Sequence, residues 1–334
     1  MAGTPVEFPK EYADLVAQVA ERGEEAFSAW HTQILKKPPS FEHFIQNPDK
    51  NRFKNLLLFD STRVRVKDVY GAGDYYHASW ADSFSRERGF ILAQAPFNAD
   101  TEFDFYRMVA RTTPVLIVSI GKSEIRTEED PSPTLFWPKM KGGTKMFGGD
   151  RLMIRTDSVE KERTHMLYEL ALQNRLEQTV WRGTLMHYDC WADTPNVIPG
   201  SILEFRASMK MVLAKLKNRA EEEKARYKPK YDKEDENGSE SDEVVMIVCP
   251  TGVHCAGTLA AIDILLDSAA IKKMVCLDGA IRVLRSQRFG AVADFDTYKT
   301  IAELVVRFAL SSGVIDAATI GNKHAAERDE KRSK

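Results

Sequence analysis

The sequence predicts an α/β domain, and three stretches carry that prediction. Residues 244–266 read as a short apolar, β-branched run, a tight turn holding Pro250 and Gly252, and an apolar helical run starting near Gly257. Strand, loop and helix in that order aim backbone N–H groups and the positive end of a helix at one point. Residues 114–120, Pro-Val-Leu-Ile-Val-Ser-Ile, read as a buried strand. Residues 201–227 keep helical spacing, with Phe205, Met209, Val212 and Leu216 down one face and charges in the later turns. Cys249 opens the loop of the first stretch, where such a field favours a thiolate.

Size and composition narrow the classes. A chain of 334 residues can bury a large core as one α/β domain or two small ones. A net charge of −2 gives no global attraction to nucleic acid or to a membrane surface. Four cysteines, Cys190, Cys249, Cys255 and Cys276, are too few for a disulfide framework and point to a reducing, cytoplasmic setting. The first residues lack a basic stretch followed by an apolar one, so no signal peptide is expected. No apolar run is expected to reach the roughly 18 residues of a membrane span. No His and Cys pair stands at metal-ligand spacing, so neither a metal nor a cofactor is expected.

The remaining elements follow in order. Residues 10–35 place Tyr12, Leu15, Val16, Val19, Phe27, Trp30 and Ile34 at helical spacing, broken at Gly23. This predicts an N-terminal helical extension over 1–45, packed on the main domain at 46–312. Residues 152–156 and 165–170 alternate and predict antiparallel strands. Residues 228–243 are polar, with six acids between Glu234 and Glu243, and read as a disordered insertion. Residues 298–310 are apolar at helical spacing, and 313–334 form a charged tail.

The loop itself reads Val248-Cys249-Pro250-Thr251-Gly252-Val253-His254-Cys255-Ala256-Gly257. It resembles the signature loop of the protein tyrosine phosphatases: His-Cys, five residues, Arg, then Ser or Thr and Gly. Further segments resemble the same family in the same order. They are Asn51-Arg52-Phe53 leading to Asp60-Ser61-Thr62-Arg63-Val64, then Asp74-Tyr75-Tyr76-His77-Ala78-Ser79, and Gln94-Ala95-Pro96. Asp104-Phe105-Tyr106-Arg107-Met108, Phe136-Trp137-Pro138, His187-Tyr188-Asp189-Cys190-Trp191-Ala192-Asp193 and Leu284-Arg285-Ser286-Gln287-Arg288-Phe289-Gly290 continue it. The resemblance implies a central twisted mixed β-sheet flanked by helices.

It also implies roles. Cys249 falls on the nucleophile, and Asp193 on the general acid that protonates a leaving tyrosine oxygen. Phe53 falls on the aromatic residue lining the substrate pocket, and residues 250–257 on the phosphate cradle. The family's phosphate-gripping Arg is Cys255 here, its preceding His is Val248, and its following hydroxyl is Ala256. His77 stands where the family has Asn, and Asn55 where it has a substrate-fixing Asp. The two Gln that place water fall on Ala293 and Thr297. Cys offers neither a fixed charge nor a bidentate fork; by analogy with other lost donors the rate penalty is on the order of 10²–10⁵. Losing the Arg also removes a charge that would keep Cys249 ionised.

The expected function is therefore that of a degenerate, catalytically inactive tyrosine-phosphatase domain. It would act as a binding module or shield for a tyrosine-containing protein, phosphorylated or not, such as a kinase or its substrate. The alternative is a weakly active phosphatase using Cys249 and Asp193. His254 has two readings, a structural residue or a source of charge below its reference pKa of about 6.5. A third possibility links Cys249 and Cys255 by oxidation.

Overall fold

The computed structural model describes residues 20–25, 28, 39–68, 71–122, 124–125, 134–175, 177–191, 197–226 and 244–313. Most of the expected N-terminal helical extension, the acidic insertion, Ala192 and Asp193, and the tail after Gly313 lie outside the described residues.

The first elements are a short helix α1 (Glu42–Gln46) and strands β1 (Arg63–Arg65), β2 (Tyr75–Ala81) and β3 (Phe90–Gln94). Helix α2 (Ala99–Thr112) follows, capped by the Asn98 side chain, which accepts from Thr101 N, and ended by Thr113 in the left-handed region. Next come β4 (Leu116–Ile120), a two-residue pair β5 (Glu124–Ile125) and β6 (Thr134–Leu135), and β7 (Thr144–Phe147). The antiparallel meander β8 (Leu152–Lys161), β9 (Met166–Asn174) and β10 (Thr179–Tyr188) leads to the long helix α3 (Ile202–Arg226). The chain then forms β11 (Val245–Cys249), α4 (His254–Asp267) with one π turn (Ser268–Lys272), α5 (Leu277–Gln287) and α6 (Phe295–Ser311).

Nine strands make one mixed sheet in the order β1-β2-β3-β11-β4-β10-β9-β8-β7. The four central strands β3, β11, β4 and β10 run parallel, and the pairs outside them are antiparallel. Composition explains the division. Strands β4 and β11 are apolar along nearly their whole length and buried at every position, as a parallel strand covered on both faces must be. The alternation in β8 leaves one set of residues buried and the other half-exposed, which suits an edge meander. Helices α3, α4, α5 and α6 cover one face through a core that includes Phe205, Leu259, Ile281 and Ile301. Helix α2 covers the other, with Phe105 and Met108 packed beside Phe136 and Trp137.

A charged cluster ties α3 to the helix behind the loop. Arg206 and Lys210, one turn apart on α3, face Asp263 and Asp267, one turn apart on α4; Arg206 Nε lies 2.9 Å from Asp263, and Lys210 Nζ lies 2.9 and 2.7 Å from Asp263 and Asp267. The expectation that no apolar run reaches membrane length needs a correction. His254–Lys272 is long and apolar enough by composition, yet most of it is buried inside the domain. It is apolar all round because α5, α6 and the sheet surround it.

Candidate functional site

Strand β11 delivers Cys249 to the C-terminal end of the parallel strands, where open α/β sheets place their ligands. Cys249 is the last residue of the strand and pairs with Gln94 of β3. The helix begins at His254, three residues before the apolar pattern suggested, so four residues make the whole turn. Gly252 N donates to the Cys249 carbonyl at 3.0 Å. Gly252 has φ +64°, and a Cβ there would lie 2.3 Å from Gln94 N and 2.5 Å from the Ala93 carbonyl carbon. Both facts require glycine. Gly257 has a similar role on the helix, where a Cβ would meet that of Ala291 at 2.9 Å.

A buried arginine holds this turn from behind. Arg288, fully buried after α5, donates from Nε to the Gly252 carbonyl at 2.9 Å, from Nη1 to Ser79 Oγ at 3.1 Å and from Nη2 to His77 Nδ1 at 2.9 Å. Guanidinium cannot accept, so His77 carries its proton on Nε2 and donates it to the Leu56 carbonyl at 2.9 Å. Burial, then the Arg288 charge, pushes the His77 pKa down to about 3. His77, which stands where the family has Asn, is therefore a neutral core residue bracing Arg288.

The loop donors point inward. The Thr251 hydroxyl accepts from Val253 N at 3.2 Å and from His254 N at 3.1 Å, and lies 3.5 Å from Cys249 Sγ. Cys249 is buried with no exposed surface, and Cys255 is nearly so. Burial opposes ionisation of Cys249. It is outweighed by the Cys255 S–H, the Thr251 hydroxyl and the N–H groups of Ala256 and Thr251, and the thiol pKa is lowered. The buried thiol of Cys255, beside that sulfur, has its pKa raised well above the ordinary thiol range. The charge lost with the Arg is thus offset in part by neutral groups of the loop, in keeping with the field expected at the head of the helix.

The other predicted residues scatter around this turn. The segment carrying Phe53 is pinned at the same strand end by Gln94, whose side chain accepts from Arg52 N at 2.8 Å and donates to the Lys50 carbonyl at 3.2 Å. Phe53 is exposed, with the Arg52 guanidinium 5.9 Å from its ring centroid. Ala293 is an exposed methyl, whereas Thr297 is buried on α6 and its N–H is capped by Asp294. Pro250 and Thr251 are half-buried, and Val253, Ala256 and Gly257 are buried. His254 is half-buried, its Nδ1 without a partner among the described residues. Trp191 is buried in the core, so the stem of the segment leading to Asp193 is anchored, although Asp193 itself lies outside the described residues. Among the described residues no cluster of three or more His, Cys, Asp or Glu is placed to hold a metal ion.

Arg288 and Gln94 were given no site role by sequence reasoning, whereas Thr251 was expected as part of the phosphate cradle, not as an acceptor for the loop's own N–H groups. The available signal was an Arg within a family-like segment and a polar Gln ending an otherwise apolar strand.

The family described as protein-tyrosine phosphatase matches residues 47–307, which run from the Phe53 segment into α6. The chain belongs to that family. Among curated relatives, it is 25% identical over 285 residues to the human receptor-type tyrosine-protein phosphatase C, covering 84% of this chain and 19% of that protein. It is 24% identical over 305 residues to tyrosine phosphatase H3 of Microplitis demolitor bracovirus, covering 84% of this chain and 88% of the viral protein. It is 27% identical over 324 residues to the putative receptor-type tyrosine-protein phosphatase mosPTP-1 of Aedes aegypti, with 91% and 22% covered. The chain thus spans about a fifth of the length of these receptor-type relatives and most of the viral one. In this phosphatase-family domain the mixed sheet and the loop at its centre are the expected frame.

Proposed function

We propose that this phosphatase-family domain does not turn over phosphotyrosine, and acts by binding a tyrosine-containing protein in tyrosine-phosphorylation signalling. One observation carries the proposal: the signature loop is closed upon itself. Its Val253 and His254 N–H groups are taken by the Thr251 hydroxyl, and Cys255 occupies the position of the phosphate-gripping Arg. Phosphoryl transfer is mostly positioning and charge stabilisation, so a loop lacking its fork and with donors already engaged has little to offer an incoming phosphoryl group. Arg288 does not substitute, because its guanidinium is spent on Gly252, Ser79 and His77. Four free cysteines support a reducing, cytoplasmic setting for the 46–312 domain.

A second reading rests on the lowered pKa of Cys249. A thiolate at the head of a helix is a nucleophile, and slow attack assisted by Asp193 would make the domain a feeble phosphatase. The deciding experiment titrates the protein with matched peptides, tyrosine-phosphorylated and not, while following phosphate release in the same samples. Binding without release supports the first reading. Release that disappears in Cys249→Ser establishes the second and overturns the first.

A further inference from the structure

We propose that a cavity at the opposite end of the sheet is a separate binding site for a phosphomonoester carried by a partner protein. The cavity holds about 550 Å³, within the range of roughly 300–1,000 Å³ for small-ligand sites. Its walls include Arg63 and Arg65 of β1, Trp80 of β2, Arg88 of the β2–β3 turn, Arg111 near the end of α2, and Gln287 of α5. Most of them lie towards the Phe90 end of β3, where Ala81 pairs with Phe90, and Arg65 joins them from its pairing with Tyr75. Cys249 pairs with Gln94, four residues along the same strand, or about 13 Å away.

The charge arrangement is unusual. The guanidinium groups of Arg65, Arg88 and Arg111 make no hydrogen bond or ion pair among the described residues, although three carboxylates share the cavity. Two of those carboxylates are already engaged by neutral donors. Asp60 accepts from the Ser40 hydroxyl and from the N–H groups of Glu42 and His43. Asp82 accepts from the Gln287 amide at 2.7 Å and from Arg88 N at 2.9 Å. Arg63 lies beneath, buried, with its outer nitrogens fixed on Asp74 and its Nε without a partner. Three exposed guanidinium groups from three separate elements therefore border one space, where a compact anion can engage their free N–H donors.

Geometry selects the kind of anion. Arginine forks match phosphate oxygens two at a time, and a dianion can engage more than one fork. A nucleic acid fits poorly, because the whole chain is net negative and, among the described residues, offers no extended basic track beyond the cavity to follow its backbone. The cavity is much larger than bare phosphate, and half-buried Trp80 offers a flat apolar wall to the group that carries it.

The test uses the full chain in calorimetric titrations with a phosphoserine peptide, a phosphotyrosine peptide, their unphosphorylated forms and inorganic phosphate. Phosphorylated probes are expected to bind, and Arg65→Ala/Arg88→Ala/Arg111→Ala to weaken them about tenfold or more. The single change Arg111→Glu should do the same if the triple variant melts early. Hydrogen exchange is expected to slow at 63–65 and 86–88 in the complex. Loss of peptide and inorganic phosphate together would assign recognition to the phosphoryl group itself; loss of peptide alone would assign part of it to the carrier. Equal binding of unphosphorylated peptide, binding unchanged in both variants, protection at 249–255 instead, or no binding of any phosphorylated probe would each overturn the proposal.

Discussion

His77 should make this domain acid-sensitive, and replacing it with Asn should remove that sensitivity. The imidazole is 1% exposed and accepts from a buried guanidinium at 2.9 Å. Protonation would set one cation against another and destroy the acceptor. Burial and Arg288 accordingly lower its pKa from 6.5 to about 3. The folded state then binds fewer protons than the unfolded state between those values. Stability is therefore fully present above pH 6.5 and is lost as the pH falls towards 3. Treated as a single site, His77 takes away about 2 kcal/mol at pH 5 and about 3 kcal/mol at pH 4. Asn can accept from Arg288 with its carbonyl and donate with its amide, but does not titrate in this range. Urea unfolding of the wild type and His77→Asn at several pH values between 7.5 and 4 measures the difference, in which other titrating groups cancel. The wild type should lose about 2 kcal/mol more than the variant between pH 7.5 and 5. A difference constant to within about 0.5 kcal/mol across that window would refute the reasoning.

Other substitutions probe other parts of the frame. Glu102, buried on α2 against Lys145, has its pKa raised by burial from 4.5 to about 7 despite that partner. The folded state binds the extra proton between those values, so stability falls as pH rises through them; relative to Glu102→Gln, the wild type should lose about 3 kcal/mol, read from unfolding midpoints. Gly252→Ala should cost about 2–4 kcal/mol, because its Cβ strikes the β3 backbone at a positive φ; an unchanged melting temperature would contradict the loop geometry. Thr251→Ala should free the Val253 and His254 N–H groups and let millimolar phosphate raise the melting temperature more than in the wild type. Cys255→Arg should give at most a single weak turnover, since Ala293 and Thr297 cannot place the hydrolytic water; sustained phosphate release by that variant would refute it.

The fold was legible where local pattern and global demand coincide. The apolar run at 114–120 became the fully buried β4, and the two alternating segments became the antiparallel neighbours β8 and β9. The amphipathic stretch at 201–227 became α3, with Phe205 and Met209 in the core and Val212 and Leu216 packed at its margin. Each of these is set by side-chain period, which a sequence displays directly. The site was legible only in its covalent order. Arg288 meets His77 across 211 positions of chain, and Gln94 clamps the Phe53 segment across more than forty, so neither contact leaves a local pattern. The Thr251 hydroxyl was hidden for a different reason. Threonine in a turn is common, and only the approach of two N–H groups in the folded loop shows what its hydroxyl does.

The parts of the loop separate into those required by its path and those required by phosphoryl chemistry. Gly252 must be glycine because the turn passes against β3, Gly257 because α4 rests on Ala291, and Arg288 because a buried carbonyl needs a donor. None of these needs a phosphate nearby, and all three are present. The cation that would meet phosphoryl oxygens is not: its position holds Cys255, a thiol kept neutral by its raised pKa. The surviving thiolate has a structural account as well, since it accepts from Cys255, Thr251 and the head of α4, groups that would otherwise lie buried beside an indifferent side chain. A retained nucleophile is thus weak grounds for retained catalysis here. The same atoms that would make Cys249 reactive are the ones that hold the loop folded, and they do so by closing it.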